Sequence, residues 1–200
     1  MAIIFMGKTG SGKSTIAKEI NSKYGYDMAI TYTTRPMRKG EIDGKDYHFI
    51  SEAKFEEKIK NGDFVEYVSY NTVHGKWYYG SDKEVYKNNN LIILNPLALK
   101  QINNTLSNPF IVYLKLPEEE IMKRLEKRGD NMAEVKRRIE ADRRDFANIE
   151  EYATVTIDAT KSIDSIVEEI MREYTRHLNK QKNSIEMQTK NRNLEIGKSI

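Results

Sequence analysis

The feature that most constrains this chain is the run Gly7-Lys8-Thr9-Gly10-Ser11-Gly12-Lys13-Ser14, which fits the pattern G-x-x-x-x-G-K-S/T at every fixed position. The apolar stretch Ala2-Ile3-Ile4-Phe5-Met6 precedes it and Thr15-Ile16-Ala17-Lys18-Glu19-Ile20 follows it, so the order predicted is strand, loop, helix. Glycines let the backbone bend round an anion and remove the side chains that would block it. Successive N–H groups and the positive end of the next helix then face phosphate oxygens. The bland alternative is a Gly/Ser turn between a core strand and a helix. The flanks favour a nucleotide loop formed by Gly7, Lys8, Thr9, Gly10, Ser11, Gly12, Lys13, Ser14 and Thr15, with Lys13 reaching the β- and γ-phosphates and Ser14 on Mg²⁺.

A loop of this kind needs a parallel sheet behind it, and 200 residues suffice for one such domain with small inserted subdomains. The 33 basic and 30 acidic side chains leave a net charge of only +3, which describes a solvated mixed surface and points to neither nucleic acid nor membrane. The absence of cysteine excludes a disulfide framework and thiolate chemistry. Residues 2–6 are too short for a secretory core and lack a basic leader, and no later run reaches membrane-spanning length, so the expectation is a soluble, cytoplasmic protein.

Along the chain, residues 13–24 read as a helix with Ile16 and Ile20 on its buried face and Gly25 as its stop. A strand begins at Met28 and turns at Arg35-Pro36 and Lys39-Gly40. Arg35 and Arg38, with Tyr47 nearby, are suited to hold a phosphate, because guanidinium forks pair bidentately with its oxygens. Residues 51–60 form a helix capped by Ser51, with Phe55 and Ile59 inward, ended by Gly62. Residues 63–70 alternate like a strand and residues 77–81 supply its hairpin partner. Further strands fall at 91–96, 110–116 and 154–158. Pro117, Glu118, Glu119 and Glu120 open a helix that Lys127, Arg128 and Gly129 close, with Ile121 and Leu125 buried and Arg124 and Arg128 one turn apart. Helices are expected at 133–150 and 162–174, and from about residue 176 the chain becomes polar, an extra helix or a flexible tail.

The stretch Thr33-Thr34-Arg35-Pro36-Met37-Arg38-Lys39-Gly40-Glu41, followed by Gly44-Lys45-Asp46-Tyr47-His48-Phe49, closely resembles the GMP-binding segment of guanylate kinases. With the phosphate loop upstream, the resemblance covers roughly residues 3–172. It implies an α/β fold: a parallel sheet of the phosphate-loop kinase type flanked by helices, an inserted mixed β subdomain for GMP and a helical lid. The corresponding division is a domain over 1–175, with core 1–31, 83–116 and 151–175, GMP subdomain 32–82 and lid 117–150, then an extension over 176–200. It implies Mg²⁺-dependent transfer of the ATP γ-phosphoryl group to GMP, and to dGMP, with ATP and GMP as partners, no nucleic acid or membrane, and room for a homo-oligomer.

Carried over by position, the resemblance gives Lys13, Arg124, Arg128 and Arg138 to the transferred charge, with Arg137 as a register alternative to Arg138 and Arg143 and Arg144 left on the surface. It gives Thr31, Arg35, Arg38, Glu41, Tyr47, Glu66, Tyr79, Ser81 and Asn95 to the acceptor. Glu66 also makes chemical sense alone, because a carboxylate accepts from both guanine N1–H and the 2-amino group, whereas adenine offers an acceptor and no 2-amino group. Three departures stand out. Guanylate kinases commonly carry two acids where this chain has Ile93 and Asn95. The segment between Glu66 and Tyr79 is lengthened by residues 71–76, a longer hairpin tip or else a site where His74 or Trp77 stacks on a base. Asp158-Ala159-Thr160 does not match the family's adenine-site pattern. The alternatives are a kinase for another or modified nucleotide, and a noncatalytic guanylate-kinase-like binding module.

Overall fold

The computed structural model describes residues 1–72, 75–86, 90–102, 106 and 108–196, with 188–196 as backbone only. The first half of the chain runs β1 (Ile3–Met6), α1 (Lys13–Tyr24), β2 (Asp27–Met28), β3 (Tyr32–Thr33), β4 (His48–Phe49), α2 (Glu52–Lys60), β5 (Glu66–Thr72) and β6 (Gly75–Ser81). The second half runs β7 (Asn90–Ile93), α3 (Pro96–Ile102), β8 (Phe110–Lys115), α4 (Glu118–Arg128), α5 (Met132–Asp145), β9 (Val155–Asp158) and α6 (Ile163–Ile196). One sheet, in the order β2-β7-β1-β8-β9, is parallel throughout; a second, β4-β3-β6-β5, is mixed. This is the expected α/β architecture.

The central strand β1 is buried along its whole length, as a parallel strand covered on both faces must be. Its side chains alternate. Ile3 and Phe5 join Ile16, Ile20, Leu125 and Ile170 from α1, α4 and α6, whereas Ile4 and Met6 join Leu99, Ile102 and Phe146 on the other side. The phosphate loop therefore leaves the sheet from its most constrained strand. The run that begins at Met28 divides between the sheets, since β2 pairs with β7 in the core and β3 with β6 in the second sheet, and the chain changes sheets over residues 29–31.

The second sheet rests on α2, which Ser51 caps by accepting from Lys54 N–H at 3.3 Å. Phe55 stacks there on Phe64 and Tyr78, with ring centroids at 4.5 and 5.3 Å. Gly80 has to be glycine for this packing, because a Cβ at that position would stand 2.9 Å from the Phe55 ring. The described part of the lengthened segment is strand: Asn71 pairs with Lys76 and Thr72 with Gly75. His74 lies outside the described residues.

Two boundaries and one element differ from expectation. Helix α5 ends at Asp145 instead of residue 150, because Phe146 leaves the helix to stack on Tyr113, with ring planes 25° apart, while Ile149 still reaches the core from a short 3₁₀ turn. Helix α6 does not stop at residue 174 and runs on to Ile196, through most of the polar extension, with residues 197–200 outside those described. Near its middle Tyr174 Oη donates to Met1 O at 2.7 Å and Gln181 Nε2 to Asn108 O at 3.0 Å, which tie it to the body. Helix α3 has no counterpart in the sequence reading.

Asn95 starts α3, its Oδ1 accepting from Ala98 N–H at 2.8 Å. The position that lacks the family's acid is therefore also a helix cap. Asn95→Ala is expected to lower unfolding stability by about 1 kcal/mol and Asn95→Asp to preserve it, as read by urea denaturation. Equal losses in the two variants would show that the cap does not matter.

Candidate active site

Beyond the carboxyl ends of the parallel strands lies a cavity of about 340 Å³. The phosphate loop supplies Gly7, Thr9, Gly10, Lys13 and Ser14 to its wall; the second sheet and its approach supply Thr31, Arg38, Tyr47, Glu66, Tyr79 and Ser81. Asn95 joins from the β7–α3 turn, and Arg128, Arg137 and Arg138 from α4 and α5. Four separated segments of sequence thus meet round one space.

On the loop side the glycines are sterically required. A Cβ on Gly7 would meet Ser11 Oγ at 2.5 Å and Leu114 O at 2.9 Å, and Gly10, at φ +73°, lies against Leu125. Gly12 takes the left-handed conformation at the start of α1, turning the chain into the helix. Lys13 Nζ donates to Gly7 O at 2.6 Å and Lys8 O at 3.1 Å, folding back over the loop. Loss of hydration lowers its pKa to about 8, against the opposing charge of Asp142. Ser14 stands exposed in the first turn of α1 at the cavity wall. Lys8 points away to Glu118 Oε1 at 3.0 Å, and Gly12 and Thr15 are likewise outside the wall. Ser11 is buried, and its Oγ is the one buried side-chain oxygen without a hydrogen-bond partner among the described residues.

On the side of the second sheet Glu66 is 3% exposed, and Tyr86 Oη donates to its Oε1 at 3.4 Å. Burial raises its pKa to about 7, partly offset by hydrogen bonds from Ser81 and Tyr86. Arg35 and Glu41 do not line the cavity. Arg35 is buried and grips Glu41 through Nη1–Oε2 at 2.7 Å and Nη2–Oε1 at 2.5 Å, with its cation over the Tyr47 and Phe49 rings. Glu41 also accepts from Arg38 N–H at 2.7 Å, so the pair fixes the turn that presents Arg38 and Tyr47. Desolvation, then the charges of Arg35 and Arg138, lower the pKa of Arg38; the cavity gathers cations from opposite walls, an arrangement an anion relieves.

Among the cations of α4 and α5, Arg128 binds Asp130, while Arg137 and Arg138 share Glu134, with contacts of 2.8 and 2.9 Å to its Oε1. Hydrogen bonds from Arg137 and then Arg138 hold the Glu134 carboxyl at about 2. Both alternatives of register therefore face the cavity. Arg124 is placed elsewhere: its Nη2 donates to Ala159 O at 2.8 Å, tying α4 to the loop after β9. Arg143 and Arg144 are exposed, as expected.

Trp77, read from the sequence as a ring that could stack on a base, lines the cavity. Other lining residues were not anticipated: Tyr70 and Thr72 come from the hairpin, and Glu134, Asp142 and Asp145 from α5. The last three share a helix face with Arg138 and Ala141, spaced at three, four and seven residues, so the signal was the face of Arg138 itself. Asp142 is the nearest to the loop, its Oδ2 accepting from Thr9 N–H at 2.6 Å.

Among the described residues no group of three or more His, Cys, Asp or Glu side chains is arranged to hold a metal ion, and no helix is long and apolar enough to cross a membrane. A family model described as guanylate kinase matches residues 1–191. The guanylate kinase of Clostridium tetani is 32% identical over 180 residues, spanning 84% of this chain and 85% of that protein. That of Sulfurimonas denitrificans is 34% identical over 162 residues, 75% of this chain and 76% of its own. The crystal structure of guanylate kinase from Anaplasma phagocytophilum superposes with a TM-score of 0.61 at 20% identity, covering 86% of this chain and 85% of that one, and shares the fold.

Proposed function

The chain belongs to the guanylate kinase family, and from that premise we propose how its residues divide the work of ATP:GMP phosphoryl transfer, which yields ADP and GDP. The carrying observation is that the phosphate loop and the buried carboxylate of Glu66 open into one cavity, so a triphosphate donor and a guanine acceptor face each other inside it.

An oxygen of the GMP phosphate forms the new bond to the γ-phosphorus as the bond to the β–γ bridging oxygen of ATP breaks, and that electron pair leaves with ADP. No group on the protein enters the bond making. Its residues position the reactants and hold the charge. The loop N–H groups and Lys13 hold the donor phosphates; Arg38, Tyr47 and Tyr79 hold the acceptor phosphate; Thr31, Glu66, Ser81 and Asn95 surround its guanosine. Arg35 and Glu41 serve by fixing Arg38 and Tyr47. Arg128 and Arg138, with Arg137 beside them, line the cavity, which supports assigning them to charge on the migrating group. Arg124, tied to Ala159 O with its Nη1 beside Gly12, lies outside the cavity wall.

Ser14 fits Mg²⁺: a hydroxyl in the first turn after the loop, at the cavity wall, suits a cation that keeps most of its shell in water and nucleotide oxygens. When bound, the ion neutralises charge between the β- and γ-phosphates.

The test is ADP release by the purified protein with ATP and Mg²⁺, with GMP, dGMP, AMP, CMP or UMP as acceptor. Turnover is expected with GMP and dGMP and falls to background with EDTA. Folded protein without GMP-dependent ADP release would support the binding-module alternative and refute this assignment. Turnover greatest with another base would redirect it to a different acceptor.

A further inference from the structure

The phosphate loop of this protein already holds an anion of its own. Thr9 N–H, one of the donors a nucleotide phosphate would use, is occupied at 2.6 Å by Asp142 Oδ2 from the middle of α5. The same carboxylate stands close enough to Lys13 to raise the proton affinity of its amine. A second tie lies beside the first. Glu118 bridges Lys8 of the loop, at 3.0 Å, and Arg143, the residue after Asp142, at 2.7 Å. Helix α5 is thus held down over the loop by a carboxylate in the cradle and an ion-pair bridge at its rim.

Thr9 has one N–H proton, and a carboxylate and a phosphate oxygen both only accept. They are also like charges, which cannot share a partly desolvated site without a large penalty. Asp142 and the donor phosphate therefore exclude each other. Resting on the assignment of this loop to the donor, we infer that Asp142 is a resident competitor for the donor phosphates and sets donor affinity. Each ligand that enters the loop must first displace its carboxylate. In doing so it frees α5, whose Glu134, Arg137 and Arg138 face the same cavity, to settle on the ligand. A triphosphate, with more charge to offer the loop and Lys13, makes that exchange more readily than a monophosphate. The latch therefore favours the donor over the acceptor in the donor loop.

The experiment is calorimetric titration of the full-length protein in EDTA with ADP and, separately, with inorganic pyrophosphate, comparing wild type with Asp142→Asn and Asp142→Ala. Asp142→Asn keeps shape and removes charge, and Asp142→Ala removes the acceptor as well; thermal melts establish that each is folded. Both variants are expected to bind both ligands about tenfold more tightly than wild type, the scale of one charged hydrogen bond no longer opposed. Equal or weaker binding by the folded variants would overturn the inference, as would tightening for ADP without tightening for pyrophosphate, which would place the effect on the nucleoside. Failure of the wild type and of both folded variants to bind either ligand would overturn the donor-site assignment, and the inference with it.

Discussion

Lys13→Met is expected to lower the rate of ATP:GMP transfer by about a thousandfold, with the protein still folded. Methionine retains the aliphatic stem and removes the ammonium, so the variant loses the loop cation at the cavity wall that we assign to the donor phosphates, along with its hydrogen bonds to Gly7 O and Lys8 O. What those charge-assisted bonds contribute to stability is offset by the lost hydration of the buried ammonium, and a thermal melt separates any stability change from the catalytic one. The amine supplies a second, independent readout. Its pKa stands at about 8, well below that of a free lysine, because the loop strips its water. Below pH 8 the free protein already carries the charge; above it, a polyphosphate must draw a proton onto Lys13 to be paired. ATP affinity should therefore fall as pH rises through 8, approaching about tenfold per unit, and the methionine variant should lack that slope. A variant that retained wild-type turnover, or kept the slope, would remove Lys13 from the donor site.

The elements that could be read from the sequence are those whose signals are local. Helix α1 runs from Lys13 to Tyr24 and is closed by Gly25 in the left-handed conformation, as its apolar spacing and that glycine required. Ser51 caps α2, and the acids and bases at the two ends of α4 mark its limits. What escaped was decided by packing. Helix α3 is seven residues long, and Pro96, Ala98, Leu99 and Ile102 form it because the core beside β7 takes them up, not through any periodic stripe long enough to read. The end of α5 is set by a ring in another element, since Phe146 leaves the helix for Tyr113. Tyr113, and the Ile4, Met6 and Ile111 of the core that α3 joins, lie in other elements far off in sequence.

The site divides along the same line. The residues that motifs define, Lys13, Arg38, Tyr47, Glu66 and Tyr79, do meet round one cavity. Within the acceptor segment the sequence did not separate the residue that faces the ligand from the one that braces it. Arg35 and Arg38 are equally cationic and three positions apart, yet only the fold turns Arg35 inward onto Glu41 and leaves Arg38 at the wall. Asp142 is the extreme case: an ordinary acid on a charged helix until α5 is laid across the phosphate loop.

Glu66→Gln should act on which base is accepted more than on whether transfer occurs. The carboxylate is buried at 3% exposure, and the groups that touch it, Tyr86 Oη at 3.4 Å and the Ser81 hydroxyl, donate too little to keep it ionised at its ordinary pKa, which burial raises to about 7. Guanine N1–H and the 2-amino group would supply the missing donors together. Glutamine offers one acceptor and one amide, so one of the two guanine donors would face another donor in a closed site. The expected loss in kcat/KM for GMP is about a hundredfold or more, with AMP little changed, so the ratio between them collapses. The sign of the pH effect follows from the raised pKa. Below about 7 the free site is protonated and must give up its proton to read guanine, so wild-type kcat/KM for GMP falls as pH drops through 7. The glutamine variant, with nothing to titrate there, should lose that limb while the one set by Lys13 above pH 8 persists. An unchanged GMP-to-AMP ratio would take guanine recognition away from Glu66, whereas a collapsed ratio with the acid limb intact would leave recognition with Glu66 and move the titration to another group in the cavity.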